Sequence, residues 1–222
     1  MKILVSNLGS TTFKYKLFDM PGAAVLARGA MDRIGDDGGD SVHKFQVGDA
    51  GETEQVCDLP DHAAAIDEAL RCLTGAAGPL ASVDDLQAVG FKTVHARSIT
   101  GVVEIDEDVI GRMEDFFRLA PAHNPAYVAA IRQFAKVAPA APRVGCFEPA
   151  FHGKAPTRRQ LYAIPQKWEQ EYGIRRYGFH GASHRYAAEK VIELEGTSTL
   201  RHINCHLGGS SSLCAVKDGV SH

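Results

Sequence analysis

The chain has 222 residues, of which 45% are hydrophobic and 23% are charged. This composition is typical of a globular protein with a packed core, and it excludes an intrinsically disordered chain. The formal net charge of −3 comes from 24 basic and 27 acidic residues. Basic residues never cluster beyond a pair such as Arg175-Arg176, so the sequence gives little support to nucleic-acid binding.

The cysteines and the N-terminal residues indicate where in the cell the protein is expected. Five cysteines are an odd number, lie far apart and never form a CxxC pair, which argues against a disulfide framework or a zinc ribbon. The opening MKILVSN is too short for a signal-peptide core or a membrane span. We therefore expect a cytoplasmic protein without membrane association.

The first part of the chain predicts an antiparallel meander. Residues Lys2–Ser6 and Phe13–Phe18 form two predicted strands, the second with alternating apolar and basic residues, joined by the polar turn Asn-Leu-Gly-Ser-Thr-Thr. A third strand is predicted at Val25–Ala30. The acidic and glycine-rich residues 36–40 predict a loop tip.

Helices and strands alternate in the middle of the chain. Asp61 and Asp106 are each predicted to cap a helix, and Asn124 is predicted to cap another with Pro125 at its first position. Leu86–His95 predicts a buried strand between the first two helices. The predicted apolar face of the first helix consists of Ala65, Ile66, Ala69, Leu70 and Leu73.

The last part of the chain predicts three strands and a helix. Arg143–Phe147 predicts a short strand, and the stretch through Ala187–Leu194 is predicted to contain at least one more helix. Arg201–His206 and Ser212–Val216 predict the final two strands.

One type of turn occurs twice. Residues 7–12 (NLGSTT) and 206–212 (HLGGSSS) each follow one apolar strand and precede another. Small residues let backbone N–H groups approach an anion, and serine or threonine hydroxyls add donors. Either turn alone is consistent with an ordinary hairpin. The two copies together favour a phosphate held between duplicated domains.

Four sequence blocks carry a family resemblance. NLGSTTFKYKLFD, FEPAFH, YGFHGASH and CHLGGSSS resemble, in the same order, four blocks of the acetate kinase family. The resemblance implies an α/β protein of the superfold shared by acetate and sugar kinases, actin and heat-shock ATPases. Residues 1–150 would form a first ribonuclease-H-like domain, and residues 151–222 a linking segment and the incomplete start of a second. Family members reversibly transfer the ATP γ-phosphoryl group to acetate or propionate.

The resemblance also implies roles for individual residues. Glu148 and His180 match catalytic residues, and Asn7 matches the residue that orients the end of the site holding Mg²⁺ or Mn²⁺ and phosphate. The implied substrate-binding residues are Lys92, Val94, Ala122, His123 and Phe179. The implied nucleotide-binding residues are Ser10, Thr12, Lys14, His206, Gly208, Gly209 and Ser210.

Three of these positions depart from the family pattern. Lys92 replaces an arginine, which keeps the positive charge but loses the planar two-pronged hydrogen bond to a carboxylate. Glu148 replaces an aspartate and lengthens the side chain by one methylene. Ala122 replaces a leucine, which predicts a larger acid pocket. The acid used and the choice between ATP and pyrophosphate stay open.

Other interpretations are possible. His180 and His184 have the spacing of zinc ligands on a helix, but without an adjacent glutamate or a third ligand motif we expect no zinc site. A sugar kinase or chaperone ATPase would share the hairpin but not the FEPAFH and YGFHGASH blocks. A non-catalytic domain that binds phosphate or a partner is the main alternative.

The resemblance also implies parts that lie beyond residue 222. These are the adenosine-binding half, a second catalytic arginine and an acidic metal ligand. We therefore expect the isolated chain to be almost inactive. A homodimer is expected if the second domain is completed.

Overall fold

The computed structural model describes residues 1–35, 39–97, 99–118, 121, 123–208 and 210–222. These residues divide into two compact units. Unit 1 comprises residues 1–93 and 103–145, and unit 2 comprises residues 94–102 and 146–222. The predicted domain boundary at residue 150 stays a prediction.

Unit 1 begins with an antiparallel meander, as predicted. Its strands are β1 (Lys2–Leu8), β2 (Thr12–Asp19), β3 (Ala24–Asp32), β4 (Ser41–Val47) and β5 (Thr53–Cys57), each paired antiparallel with the next. Alternate residues of β2 are buried, so one face of the strand lies against the core. The sequence did not predict β4 and β5.

The sheet continues on the other side of β1. Strand β6 (Ala88–Thr93) pairs parallel with β1, and β7 (Gly101–Glu104) and β8 (Arg143–Phe147) complete the order β5-β4-β3-β2-β1-β6-β8-β7. A meander whose first strand also pairs with a parallel strand, here β6, agrees with the predicted ribonuclease-H-like arrangement. Strand β7 was not predicted.

Two helices of unit 1 begin at the predicted caps. The Asp61 carboxylate accepts a hydrogen bond from Ala64 N at 2.8 Å at the start of α1 (His62–Thr74). Asp106 caps α2 (Glu107–Asp115) in the same way. The buried residues of α1 are the five predicted apolar residues.

The start of α3 differs from the prediction by one residue. Helix α3 (Asn124–Val137) has His123 at its N-cap, with Pro125 in its first turn. The buried Asn124 side chain does not cap the helix, because its amide donates to Met113 O at 2.9 Å. This bond instead joins the start of α3 to the end of α2.

Unit 2 begins with short helices. A 3-10 helix (Glu148–Lys154) is followed by α4 (Thr157–Gln160) and α5 (Gln166–Tyr172), which the sequence did not predict. Helix α6 (Gly181–Glu195) covers the stretch through Leu194 in which a helix was predicted. No helix within the described ranges is long and apolar enough to cross a membrane.

The chain ends in a small antiparallel sheet. Strands β9 (Arg201–His206), β10 (Ser212–Lys217) and β11 (Val220–Ser221) lie in the order β11-β10-β9. The first two confirm the predicted strands. Cys214 and Val216 of β10 pack with Ala188 of α6 in a small apolar cluster.

Candidate functional site

The first repeated turn is a tight hairpin in which Gly9 lies close to Thr12. Leu8 pairs with Phe13 across the hairpin, and Gly9 N donates to Thr12 O at 2.8 Å. A Cβ at Gly9 would lie 2.4 Å from Thr12 Oγ1. The His62 ring donates through Nε2 to Gly9 O at 3.0 Å and so supports the turn from α1. Because Gly9 N–H already has an acceptor, an anion here would need other donors of the loop.

The strands beside this turn present basic side chains. Asn7 and Lys14 are cross-strand partners and both are exposed. Lys92 is exposed on β6 and directly follows Phe91, the parallel partner of Ser6. Asn7 and Lys14 line a cavity of about 460 Å³. Other charged residues lining it are Lys16, Arg28, Lys44 and Glu52. Four of the five charges are positive, which suits a phosphate ligand.

His123 and Ala122 lie between α2 and α3 in the sequence. The exposed His123 ring stacks on Tyr127, with ring centroids 6.1 Å apart and an interplanar angle of 13°. Ala122, like Gly209, lies outside the described residues.

In unit 2, His180 has an unusual backbone conformation. It precedes α6 with φ 55° and ψ 29°, a left-handed conformation that is uncommon for residues other than glycine. Its Nδ1 lies 2.9 Å from Ser212 Oγ, and its Nε2 lies 3.1 Å from Ser210 Oγ. The ring stacks on His206, with centroids 3.9 Å apart. A strained backbone held by such contacts is typical of functional sites.

Ser212 joins two histidines. Its Oγ lies 2.9 Å from His180 Nδ1 and 2.8 Å from His184 Nε2. A hydroxyl has one proton and two lone pairs, so Ser212 can donate to only one of the two imidazoles and must accept from the other. The His206 ring is held separately, because its Nδ1 lies 3.0 Å from Ser183 Oγ.

The environment of His184 lowers the pKa of its ring and so favours the neutral form. Burial lowers the pKa of His184, the nearby histidines lower it further, and the Glu148 carboxylate opposes these effects. The histidines concerned are His152, His180 and His206. The interaction with Glu148 shows that its carboxylate lies near this cluster.

The start of α6 packs directly against Glu148. A Cβ at Gly181 would lie 1.9 Å from Glu148 O, so only glycine fits there. Glu148 itself is buried. Gly181 directly follows His180 and packs against the Glu148 backbone. The two residues expected at the catalytic site, Glu148 and His180, therefore lie close to each other.

The comparisons with known proteins agree with the sequence blocks. The Acetokinase family model matches residues 2–222. This chain belongs to the acetokinase family. It is 40% identical to the acetate kinase of Bacillus subtilis and 41% identical to that of Geobacillus kaustophilus, covering 99% of this chain and 55% of each relative. The chain thus spans about half the length of these curated relatives.

Solved acetokinase structures confirm the fold class. An acetate kinase from Porphyromonas gingivalis matches with a TM-score of 0.84 and 35% identity, and a propionate kinase from Francisella tularensis with 0.87 and 28%. Each match covers 99% of this chain and 56% of the solved chain. The predicted mixed α/β fold of the acetate kinase superfold is therefore confirmed.

The expected acid-binding residues of this acetokinase chain differ in exposure. Val94 is buried, whereas Phe179 is 48% exposed. Phe179 O accepts a hydrogen bond from His152 Nε2 at 2.9 Å. A cavity of about 200 Å³ is lined by His152, Phe179, His184 and Ser212. Its volume is sufficient for a small carboxylic acid.

Sequence reasoning missed part of this cluster. Ser183, Ser212 and His152 were not singled out, and His184 was considered only as a zinc ligand. All four lie within the blocks that carry the family resemblance, which was the available signal. Their shared contacts depend on α6 lying beside β9 and β10.

Proposed function

We propose that this chain provides the phosphate- and carboxylate-binding part of an acetate kinase-type phosphotransferase. The reaction would move the γ-phosphoryl group of ATP to acetate or propionate, reversibly, to form ADP and an acyl phosphate. The single observation that carries the proposal is the His180 ring, held in a left-handed backbone conformation between Ser210 and Ser212.

His180 would donate to the phosphoryl group during transfer. Its Nε2 contacts Ser210 Oγ, which is exposed and can rotate away when a phosphoryl oxygen takes its place. Ser212 would then hold the opposite ring nitrogen in position. A donor fixed before the reaction stabilises developing charge without reorganisation.

The hairpin of unit 1 would hold the phosphates. Ser10 and Thr12 offer hydroxyl donors and Lys14 offers a positive charge beside them. In the second hairpin, His206, Gly208, Gly209 and Ser210 would have the corresponding role. Such donors reduce the repulsion between a triphosphate and a carboxylate.

A divalent metal ion fits the chemistry of Asn7. Its exposed side chain offers a neutral oxygen, a ligand that Mg²⁺ or Mn²⁺ accepts, next to Lys14. The ion, when bound, would neutralise part of the phosphate charge.

Lys92 and Glu148 would act on the acid. Lys92 would pair with the carboxylate and Glu148 would orient it, while Val94, Ala122, His123 and Phe179 would form the rest of the acid site. We propose a cytoplasmic location, a nucleotide and a small carboxylate as ligands, and a homodimer for the completed protein. Nucleic acid and membranes are not among the proposed partners.

We expect the 222-residue chain, without any other protein, to bind phosphate at its first hairpin. The loop of residues 8–12 and the adjacent Lys14 and Lys92 provide donors and positive charge. We expect millimolar affinity, or about −4 kcal/mol. An NMR titration with phosphate should shift the amides of residues 8–12.

The turn at residues 75–77 is the internal control. It is a described exposed turn at the end of α1 opposite His62, whereas part of the loop at residues 36–40 lies outside the described residues. Its amides should stay unshifted at the phosphate concentration that half-saturates the hairpin. Uniform shifts throughout the chain, or none at the hairpin, would contradict a phosphate site there.

Restoring the family residues is expected to raise activity. We expect Lys92→Arg to strengthen acid binding through a two-pronged hydrogen bond, and Glu148→Asp to shorten the reach of the carboxylate. Each should increase kcat/KM for acetate about tenfold, a difference of about 1.4 kcal/mol. The assay is hydroxamate detection of acyl phosphate, with the chain extended by the remaining part of the Bacillus subtilis relative.

Lys92 and Glu148 both depart from the family pattern. These departures favour the second candidate function, a non-catalytic domain that binds phosphate or a partner. Lys136→Arg is the control, because Lys136 is an exposed lysine in the last turn of α3 and lines neither of the two cavities described above. If neither restoring variant exceeds this control with acetate or propionate, Lys92 and Glu148 do not act on these acids. Activity absent from all extended variants, with phosphate binding retained, would favour the non-catalytic domain.

A further inference from the structure

A second group of reactive side chains lies in unit 1. His43 is on β4, whereas Glu68 and Cys72 are four residues apart on α1 and so share one helix face. His43 Nδ1 lies 3.5 Å from Glu68 Oε1 and 4.0 Å from Cys72 Sγ. The remaining distance, from Cys72 Sγ to Glu68 Oε1, is 3.5 Å. Within the described part of the chain, this is the one group of three potential metal-ligand residues at such spacing.

The distances between these three ligand atoms are compatible with a single metal ion bound by all three. The centre of a circle through the three atoms lies about 2.1 Å from each of them. Zinc binds nitrogen at roughly 2.0–2.1 Å, carboxylate oxygen at roughly 2.0–2.2 Å and thiolate sulfur at roughly 2.3 Å. A small shift of the half-buried Cys72 side chain is enough to fit a zinc ion and leave a fourth position open.

The His43 ring is already oriented as a ligand. The ring is buried, and its Nε2 lies 2.9 Å from the Tyr15 hydroxyl. A metal at Nδ1 requires the tautomer in which Nε2 carries the proton, and in that tautomer Nε2 donates to the Tyr15 hydroxyl. Metal-binding histidines are commonly held by such a bond from the other ring nitrogen.

Tyr15 is itself fixed in place. A Cβ at Gly29 would lie 2.3 Å from the Tyr15 ring, so the ring lies directly on the backbone of β3. The hydroxyl that orients His43 therefore has little freedom to move. Because Tyr15 fixes the His43 ring, the ligand nitrogen of His43 has a defined position relative to Glu68 and Cys72.

The contacts of Glu68 and Cys72 leave room for a metal. Arg71 Nη2 donates to Glu68 Oε1 and Arg71 Nε to Oε2, each at 2.6 Å, and Gln55 Nε2 also donates to Oε1. A metal at Oε1 would displace the two bonds to that oxygen, whereas the bond from Arg71 Nε to Oε2 can remain. The Cys72 thiol donates to Glu68 Oε1 at 3.5 Å, and a bound cation would displace this proton.

We propose that His43, Glu68 and Cys72 form a binding site for a thiophilic divalent cation, best matched by Zn²⁺. Binding forms the metal–sulfur bond and releases the Cys72 thiol proton to solvent, with no change in oxidation state. Water would complete the coordination. Soft sulfur, imidazole nitrogen and carboxylate oxygen together favour zinc over magnesium. This site does not depend on the proposed phosphotransferase activity.

The test uses the untagged chain after treatment with EDTA. Equilibrium dialysis against Zn²⁺ should give one bound ion per chain by elemental analysis, and Co²⁺ should give the intense visible bands of a tetrahedral thiolate complex. Cys72→Ser should lower zinc affinity at least tenfold and remove the thiolate-to-cobalt charge-transfer band. Cys146→Ser is the control, because Cys146 is an exposed cysteine of unit 2, and it should bind zinc as the unchanged chain does.

Glu68→Gln provides a second variant in case Cys72→Ser affects folding. Glutamine keeps the shape and a carbonyl acceptor but removes the charge, and it should also lower zinc affinity at least tenfold while circular dichroism stays unchanged. A folded chain that binds no zinc would overturn the proposal. So would a charge-transfer band that survives Cys72→Ser, or equal zinc affinity in the Glu68→Gln variant and the unchanged chain, since the metal would then be bound elsewhere.

Discussion

Replacing Gly181 with alanine is expected to destabilise unit 2 by more than about 3 kcal/mol. The added Cβ would lie 1.9 Å from Glu148 O and 3.1 Å from Glu148 C. Both are backbone atoms, so no side-chain rotation relieves the clash. The start of α6 would have to move away from Glu148, and His180 would move with it. Urea denaturation followed by fluorescence of Trp168, the single tryptophan of the chain, reports on this unit.

Gly111→Ala is the matched control for this prediction. Gly111 lies within α2, and a Cβ there would meet no atom within 4 Å. Alanine in a helix interior is more favourable than glycine by about 0.5–1 kcal/mol, so this variant should be slightly more stable. Circular dichroism is the appropriate probe, because Gly111 is in unit 1. A Gly181→Ala chain with an unchanged urea midpoint would mean that α6 does not lie against Glu148.

Local signals explain which elements the sequence predicted. Asp61 and Asp106 cap their helices because each carboxylate bonds a backbone N–H three residues later, an interaction contained in the local sequence. Strands β4 and β5 lack such a signal. Residues Thr53–Cys57 are mostly polar and mostly exposed, and they form a strand because they pair with β4 at the edge of the sheet. Tertiary pairing overrides weak local preference there.

The sequence predicted some residues of the candidate site but not the contacts between them. The family blocks identified His180 and His206, and the structure brings these rings into contact. No local pattern shows that Ser212 lies between His180 and His184, because that contact joins β10 to the start of α6. The left-handed backbone of His180 could not be predicted from the sequence either, since even histidine, which adopts positive φ more often than most residues, does so rarely.

The proposed metal site shows the same limit. The spacing of Glu68 and Cys72 on α1 can be read from the sequence, but their third partner lies on β4, which was not predicted. Three residue types that suit zinc become a candidate site only when the strand places His43 beside the helix.

His180→Ala is expected to lower kcat about 10²- to 10³-fold in the chain extended by the remaining part of the Bacillus subtilis relative. The imidazole is the proposed donor to the phosphoryl group, and alanine removes it together with its contacts to Ser210 and Ser212. Because the donor acts mainly on charge that develops during transfer, KM for ATP and acetate should change little. The hydroxamate assay over a range of both substrates separates the two parameters.

Two variants control for an indirect effect on α6. Lys190→Ala removes an exposed side chain of the same helix, which pairs with Glu193, and should leave kcat and KM unchanged. Ser212→Ala removes the hydroxyl that holds His180 Nδ1, and we expect a smaller loss of about tenfold in kcat, since the donor remains but is held less firmly. If His180→Ala instead raises KM and keeps kcat, the ring binds substrate but does not assist transfer. If it changes neither while the Trp168 unfolding curve stays normal, His180 has no part in the reaction, and its left-handed backbone needs another explanation.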